Sequence, residues 1–171
     1  MIDHMHSQIL EMSSAQDEPR KGMLTTWSEI CEFIFGGRAR FTLVSKKTGL
    51  RFTYKVVAKR EDVKVKVDDV TFFVSVLRGP DNEADYAYAG VLRRPAQFNL
   101  TAASRVTRAA FSMQALFWFL DKLRHERDVL GKPHGVEFWH EGRCCRCGRT
   151  LTVPKSVADG IGPECAGRGL W

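Results

Sequence analysis

Four of the five cysteines in this 171-residue chain fall between His140 and Arg168, in the stretch HEGRCCRCGRTLTVPKSVADGIGPECAGR. Cysteine thiolates and neutral imidazole are the donors that hold a tetrahedral ion such as Zn2+. Cys144 and Cys147 have the C-x2-C spacing at which a tight knuckle turns two thiolates toward one ion, and Cys165 offers a third. His140, with three residues between it and Cys144, is the expected fourth ligand; His134 and Cys145 are alternatives for that place. The set His140, Cys144, Cys147 and Cys165 is a closed Cys3His site. Closed sites are structural, and in so small a module zinc binding supplies most of the folding free energy. Cys145 does not fit beside Cys144 on the same ion, because adjacent ligands need incompatible Cβ directions, so it is the spare thiol.

The neighbouring residues have mechanical readings. Pro163 suits the first position of a helix, Gly160 and Gly162 allow a sharp approach to it, and Cys165 falls in the first turn, where free N–H groups soften thiolate charge. This order, knuckle, hairpin and short helix with the last ligand, is treble-clef-like. Gly160-Ile161-Gly162 also resembles the hairpin of helix-hairpin-helix modules, whose backbone amides hold a DNA phosphate. Arg143, Arg146, Arg149 and Arg168 around the cysteines favour phosphate on either reading.

The elements that must position these residues can be read from periodicity. Thr26-Trp27-Ser28-Glu29 is a capping box, followed by Trp27, Ile30, Cys31 and Ile34 at helical spacing, with a stop at Gly36-Gly37. From Ala39 to Thr101 the period is two. ARFTLVS and LRFTYKVVAK flank a Lys46-Lys47-Thr48-Gly49 hairpin loop, and DVKVKVD, VTFFVSVLRG, ADYAYAGVLRR and FNLT follow, with a turn at Gly79-Pro80-Asp81-Asn82. The apolar parity holds Phe41, Leu43, Phe52, Tyr54, Val56, Val63, Val65 and Val67. The opposite parity holds Arg40, Arg51, Lys55, Lys64 and Lys66, so one face builds the core and the other carries bases. Ser112 is placed to cap a helix from Met113 to Leu130 with Met113, Leu116, Phe117, Leu120 and Leu123 as its stripe, widened by Trp118 and Phe119. Gly131 to Gly135 reads as a short linker, and VEFW as a final strand leading into the cysteines. The expected fold is α+β: an antiparallel sheet with two packed helices, plus a small C-terminal treble-clef-like zinc module. Its divisions are a flexible leader over 1–24, an α+β domain with a basic sheet face over 25–131, and a zinc-binding module over 136–171.

Composition narrows the partners. Hydrophobic residues make up 44% of the chain and no window nears the 18 apolar residues of a membrane span, so a membrane partner is not expected. The N-terminus has neither a basic n-region nor an apolar h-region, which points to the cytoplasm, where clustered cysteines bind metal rather than form disulfides. Residues 37–66 hold ten bases against two acids, a net +8. Such a segment is an electrostatic footprint for a polyanion or an acidic protein surface. The residues that would make the contact are Arg40, Lys46, Lys47, Arg51, Lys55, Lys64 and Lys66 on the sheet, with Arg143, Arg146 and Arg149 on the module.

Around the cysteines the pattern C-x2-C-G-R-x-L-T-x-P-x-S, then G-I-G-P-x-C, resembles the C-terminal motif of a family of uncharacterised phage and bacterial proteins. The residues that match are Cys144, Cys147, Gly148, Arg149, Leu151, Thr152, Pro154, Ser156, Gly160, Ile161, Gly162, Pro163 and Cys165. FTLVSKKTGLRFTYKV and FFVSVLRGPDN also resemble the amino-terminal part of some phage members. The resemblance implies a zinc-binding tail and a mobile-element origin, hence a bacterial host cytosol, and it implies no reaction. Three classes of function follow. One is a phage-type accessory protein that binds nucleic acid without strong sequence specificity, through the basic sheet face and the arginine-rich module. A second is a phage-encoded inhibitor docking on a host defence protein, whose acidic groove would meet the same lysines. The third, a nuclease or other enzyme, ranks last: no residues of the chain form an acid, base and nucleophile constellation, and no catalytic residue is assigned.

Overall fold

The computed structural model of the chain describes residues 22–59, 66–126 and 131–168. In chain order the elements are β1 (Met23–Leu24), α1 (Trp27–Ile34), β2 (Arg38–Ser45), β3 (Arg51–Ala58), a 3-10 turn (Val67–Asp69), β4 (Phe72–Leu77), β5 (Tyr86–Arg93), β6 (Gln97–Asn99), α2 (Phe111–Glu126), β7 (Val136–His140), α3 (Pro154–Asp159) and α4 (Pro163–Ala166). The strands form one antiparallel sheet in the order β1-β7-β2-β3-β4-β5-β6. The fold is therefore α+β, as the alternating strands and flanking helical stripes require.

The period-two pattern sorts side chains by face. Ala39, Phe41 and Leu43 of β2 and Tyr54, Val56 and Ala58 of β3 are buried, with Phe52 partly buried against them. On the opposite parity the register sets Arg40 beside Lys55 and Thr42 beside Thr53, whose hydroxyls are 2.8 Å apart. The segment DVKVKVD lies largely outside the described residues, Lys64 included; its end contributes to the 3-10 turn, with Lys66 exposed before it. The leader up to residue 21 lies outside them as well.

Both long helices cover the apolar face. The capping box forms as its spacing predicts: the Glu29 N–H donates to Thr26 Oγ1 at 3.3 Å, and the Thr26 N–H donates to Glu29 Oε2 at 3.1 Å. Trp27, Ile30, Phe33 and Ile34 of α1 are buried, and Cys31 is core filling. In α2 the buried stripe is Met113, Leu116, Phe119, Leu120 and Leu123. Phe119, not Phe117, completes it, because the i+3 step from Leu116 faces the sheet while Phe117 turns toward the sheet edge, against Phe98 at 5.1 Å. Trp118 is 46% exposed and does not widen the buried face as expected. Tyr54 ties sheet to helix through a 2.6 Å hydrogen bond from its hydroxyl to the Ser112 carbonyl.

The last strand departs most from the sequence expectation. A short strand leading into the module becomes an inner strand of the main sheet, paired with β1 on one side and β2 on the other. The segment that begins at 136 thus starts inside the sheet rather than beside it. The reason is the V-x-F-x-H alternation, which buries Val136, Phe138 and His140 on the helix-covered face. Phe138 stacks on Phe41 at 4.6 Å and also meets Phe33 and Phe119 at 5.7 and 5.9 Å. It joins both helices to the sheet. Phe138→Ala is expected to lower stability by about 3–5 kcal/mol, the range for deleting a fully buried aromatic ring. Thr26→Ala should cost only about 1 kcal/mol. Urea unfolding followed by tryptophan fluorescence would give both values.

Candidate metal centre

Past His140 the chain leaves the sheet and folds back on itself in a small hairpin. Leu151 N–H bonds to the Gly142 carbonyl at 2.8 Å, Arg143 bridges to Thr150, and the Cys144 N–H bonds to the Arg149 carbonyl at 2.8 Å. Gly148 closes the knuckle with φ +78°, a conformation other residues rarely adopt, while its N–H returns to the Cys144 carbonyl at 2.9 Å. α3 starts at Pro154, and the left-handed Gly160 ends it. Proline again opens α4, which carries Cys165.

These turns bring the sulfurs of Cys144, Cys147 and Cys165 within 4.8 Å of one another. Thiolates on one tetrahedral ion sit about 3.8 Å apart given metal–sulfur bonds of about 2.3 Å, so the cluster fits a metal ion with small adjustment. Cys144 is fully buried, yet its thiol pKa is lowered to about 7. Burial opposes ionisation there, and the N–H groups of Gly162, Cys147 and Arg146 aimed at its sulfur outweigh it. Burial, and hydrogen bonds donated by its thiol to Cys147 and Cys144, push Cys165 up to about 11. Metal uptake at neutral pH must therefore displace protons, foremost that of Cys165.

The structure distributes the other predicted ligands differently. His140 is not part of the three-thiol cluster: its Nδ1 accepts the Gly142 N–H at 3.0 Å and its ring stacks on Phe33 at 5.2 Å. Because it ends a core strand at an inward position, it is buried against the apolar layer, and that burial lowers its pKa. Cys145 points the other way from its neighbour, as the adjacency argument requires. It is buried in the main core, and a Cβ on Gly36 would lie 2.5 Å from its sulfur. Burial, then the nearby Cys144 thiolate, pushes its thiol up to about 12. His134 is exposed on the loop before β7 and is not part of the cluster.

The module has little core of its own and leans on the sheet. Arg38 N–H bonds to the Cys145 carbonyl at 2.6 Å, Cys145 N–H to the Gly160 carbonyl at 3.0 Å, and Gly160 packs so closely on Phe33 that a Cβ would approach its ring to 2.6 Å. Gly162, read as one amide of a phosphate-holding hairpin, directs its N–H to the Cys144 sulfur instead. Sequence reasoning missed that use of Gly162 and the buried Ser156 beside the thiols. The only signal for either is their place in the G-I-G-P and P-x-S steps of the motif.

The bases divide into two sets. Arg40 makes a two-pronged hydrogen bond to Glu83 at 2.8 and 2.7 Å, and Arg143 reaches the same carboxylate at 3.2 Å. That pairing raises the Arg40 pKa and lowers that of Glu83. Lys55 Nζ sits 4.4 Å over the Tyr86 ring, and partial burial followed by the Arg40 charge lowers its pKa. Arg146 donates to the Cys165 carbonyl at 3.1 Å. By contrast, Arg38, Lys46, Lys47, Arg51 and Lys66 are exposed, as is Arg149, which approaches Glu164 at 3.9 Å. Glu83, which neutralises the centre of the basic face, lies in the β4–β5 loop, where no periodicity marks it.

This segment matches a family of unknown function, DUF6011, over residues 137–168. The match runs from β7 to just past α4, and so covers the knuckle and all three clustered thiols. No curated protein and no solved structure matches the chain. Among the described residues no helix is long and apolar enough to cross a membrane. In protein expressed with added zinc, Cys147→Ser should lose the bound metal measured by atomic emission. Cys145→Ser should keep it, since its thiol faces the core.

Proposed function

We propose that the chain is an accessory protein, of the phage type its motif resembles, that binds nucleic acid without strong sequence specificity and uses zinc as a structural ion. The sulfur-rich donor set supports zinc, since thiolates select it over the hard cations. Cys144, Cys147 and Cys165 would hold the ion. Its chemistry there is structural: it crosslinks the knuckle to α4 and fixes the arginines borne on both.

The observation that carries the nucleic-acid reading is the contact between Arg38 and Gly148, where a Cβ on the glycine would lie 3.6 Å from the Arg38 side chain. It sets the start of basic strand β2 against the knuckle that bears Arg149. The exposed Lys46-Lys47 loop and Arg51 lie at the far end of the same strand, roughly 25 Å away at about 3.3 Å per residue. Exposed bases therefore mark both ends of one strand. Duplex DNA places one charge per about 1.7 Å of axis, so that span matches many phosphates. The centre, with Arg40 and Arg143 tied to Glu83, contributes orientation more than free charge.

Fluorescence anisotropy of labelled single-stranded and duplex DNA and RNA at several salt concentrations tests this reading. Affinity should fall log-linearly with salt. The triple variant Lys46→Glu, Lys47→Glu, Arg51→Glu should weaken binding at least about tenfold at low salt. It should also reduce the slope by about 0.9 for each duplex phosphate that is no longer neutralised. Absence of binding at low salt would reject nucleic acid and leave the same bases as the surface for an acidic host protein.

A further inference from the structure

Cys144 is buried, but Cys147 and Cys165 are only partly so, and all three line a cleft of about 180 Å³ together with Arg149, Ser156 and Glu164. Among the described residues no further histidine, cysteine, aspartate or glutamate joins them within ligand distance. The nearby donors lie outside that group. His140 Nδ1 accepts the Gly142 N–H and its ring stacks on Phe33, while its buried Nε2 has no hydrogen-bond partner among the described residues. Cys145 is packed against Gly36 in the core. The Glu164 side chain, 74% exposed, extends to Arg149 at 3.9 Å. Ser156 offers a neutral hydroxyl, which is not among the common ligands of zinc. The described residues therefore bring three donors within reach of one ion, and these line the cleft.

A site with three protein ligands leaves its fourth position to water or an incoming molecule. Resting on the zinc reading above, we propose that the ion held by Cys144, Cys147 and Cys165 keeps its fourth coordination position open to this cleft, where it takes an imidazole nitrogen from a partner. Charge favours an uncharged donor. Three thiolates on a divalent ion leave the site at −1, a fourth thiolate would bring it to −2, and the cleft contributes one cationic side chain, the mostly exposed Arg149. An imidazole adds no charge and is a strong ligand for the same ion. The hydroxyl and apolar groups of Thr150, Thr152, Leu151 and Val153 line the rest of the cleft and can receive the ring.

The test is cobalt substitution of the full chain, read by the visible absorption of Co2+ and titrated with imidazole itself. A saturable shift of the cobalt bands on adding imidazole, present equally in wild type and in His140→Ala, is the expected result. Bands that do not respond to imidazole in the wild type would overturn the proposal, and a changed starting spectrum in His140→Ala would then assign the fourth position to His140. The wild-type titration decides the matter even if His140→Ala fails to fold. If the wild type takes up no cobalt and contains no zinc by atomic emission, the zinc reading itself fails and the open position goes with it. Metal content thus separates the two failures.

Discussion

The placement of β7 between β1 and β2 is the constraint on which the rest of the molecule depends. One five-residue strand carries Phe138 into the centre of the aromatic layer and then, two residues later at His140, releases the chain into the hairpin that forms the knuckle. The strand is anchored by ladders on both sides, so the hairpin that follows begins from a fixed point. The thiols inherit that precision. A small module with three clustered cysteines and almost no core would otherwise depend on metal alone for its shape. Here Gly160 on Phe33, Cys145 on Gly36 and the Arg38 to Cys145 backbone bond supply a second support, independent of any ion.

That support has an electrostatic counterpart. Backbone N–H groups of the knuckle and of Gly162 converge on Cys144 and stabilise its thiolate even though it is buried, while Cys145, one residue on, is buried in the core beside that thiolate and its thiol is pushed up. Adjacent residues of one type thus acquire opposite chemistry from the direction of their Cβ. The same contrast appears among the bases. Glu83 gathers Arg40 and Arg143, and Tyr86 takes Lys55, so the middle of the face is tied together internally. Arg38 and the Lys46-Lys47 loop, left to solvent, sit at the two ends of β2, where they can neutralise an external anion.

Much of the fold is legible in local pattern. The capping box at Thr26 and Glu29 contains its own geometry, because both partners lie within one turn. The alternation of Phe41, Leu43, Tyr54 and Val56 with Arg40, Thr42, Thr53 and Lys55 specifies which face is buried, since a strand has a strict period of two. The C-x2-C knuckle and the third thiol are equally readable, because a short loop with glycine at the αL position admits few conformations. What local pattern does not give is the order of strands. VEFW is only a short apolar alternation, and nothing local tells an inner strand from a linker to a separate module.

The sequence by itself therefore determined the α+β class, the two buried helical stripes in outline and the three cysteines that come together. The tertiary structure decided the rest. It buried His140 at the end of β7 with its ring on Phe33, outside the three-thiol cluster, because β7 lies in the middle of the sheet. It also divided the bases into paired and free, because Glu83 reaches them only through the loop between β4 and β5. Both outcomes rest on contacts between residues far apart in the chain, and such contacts are fixed by packing and by charge pairing across elements. No periodicity within a single segment encodes them.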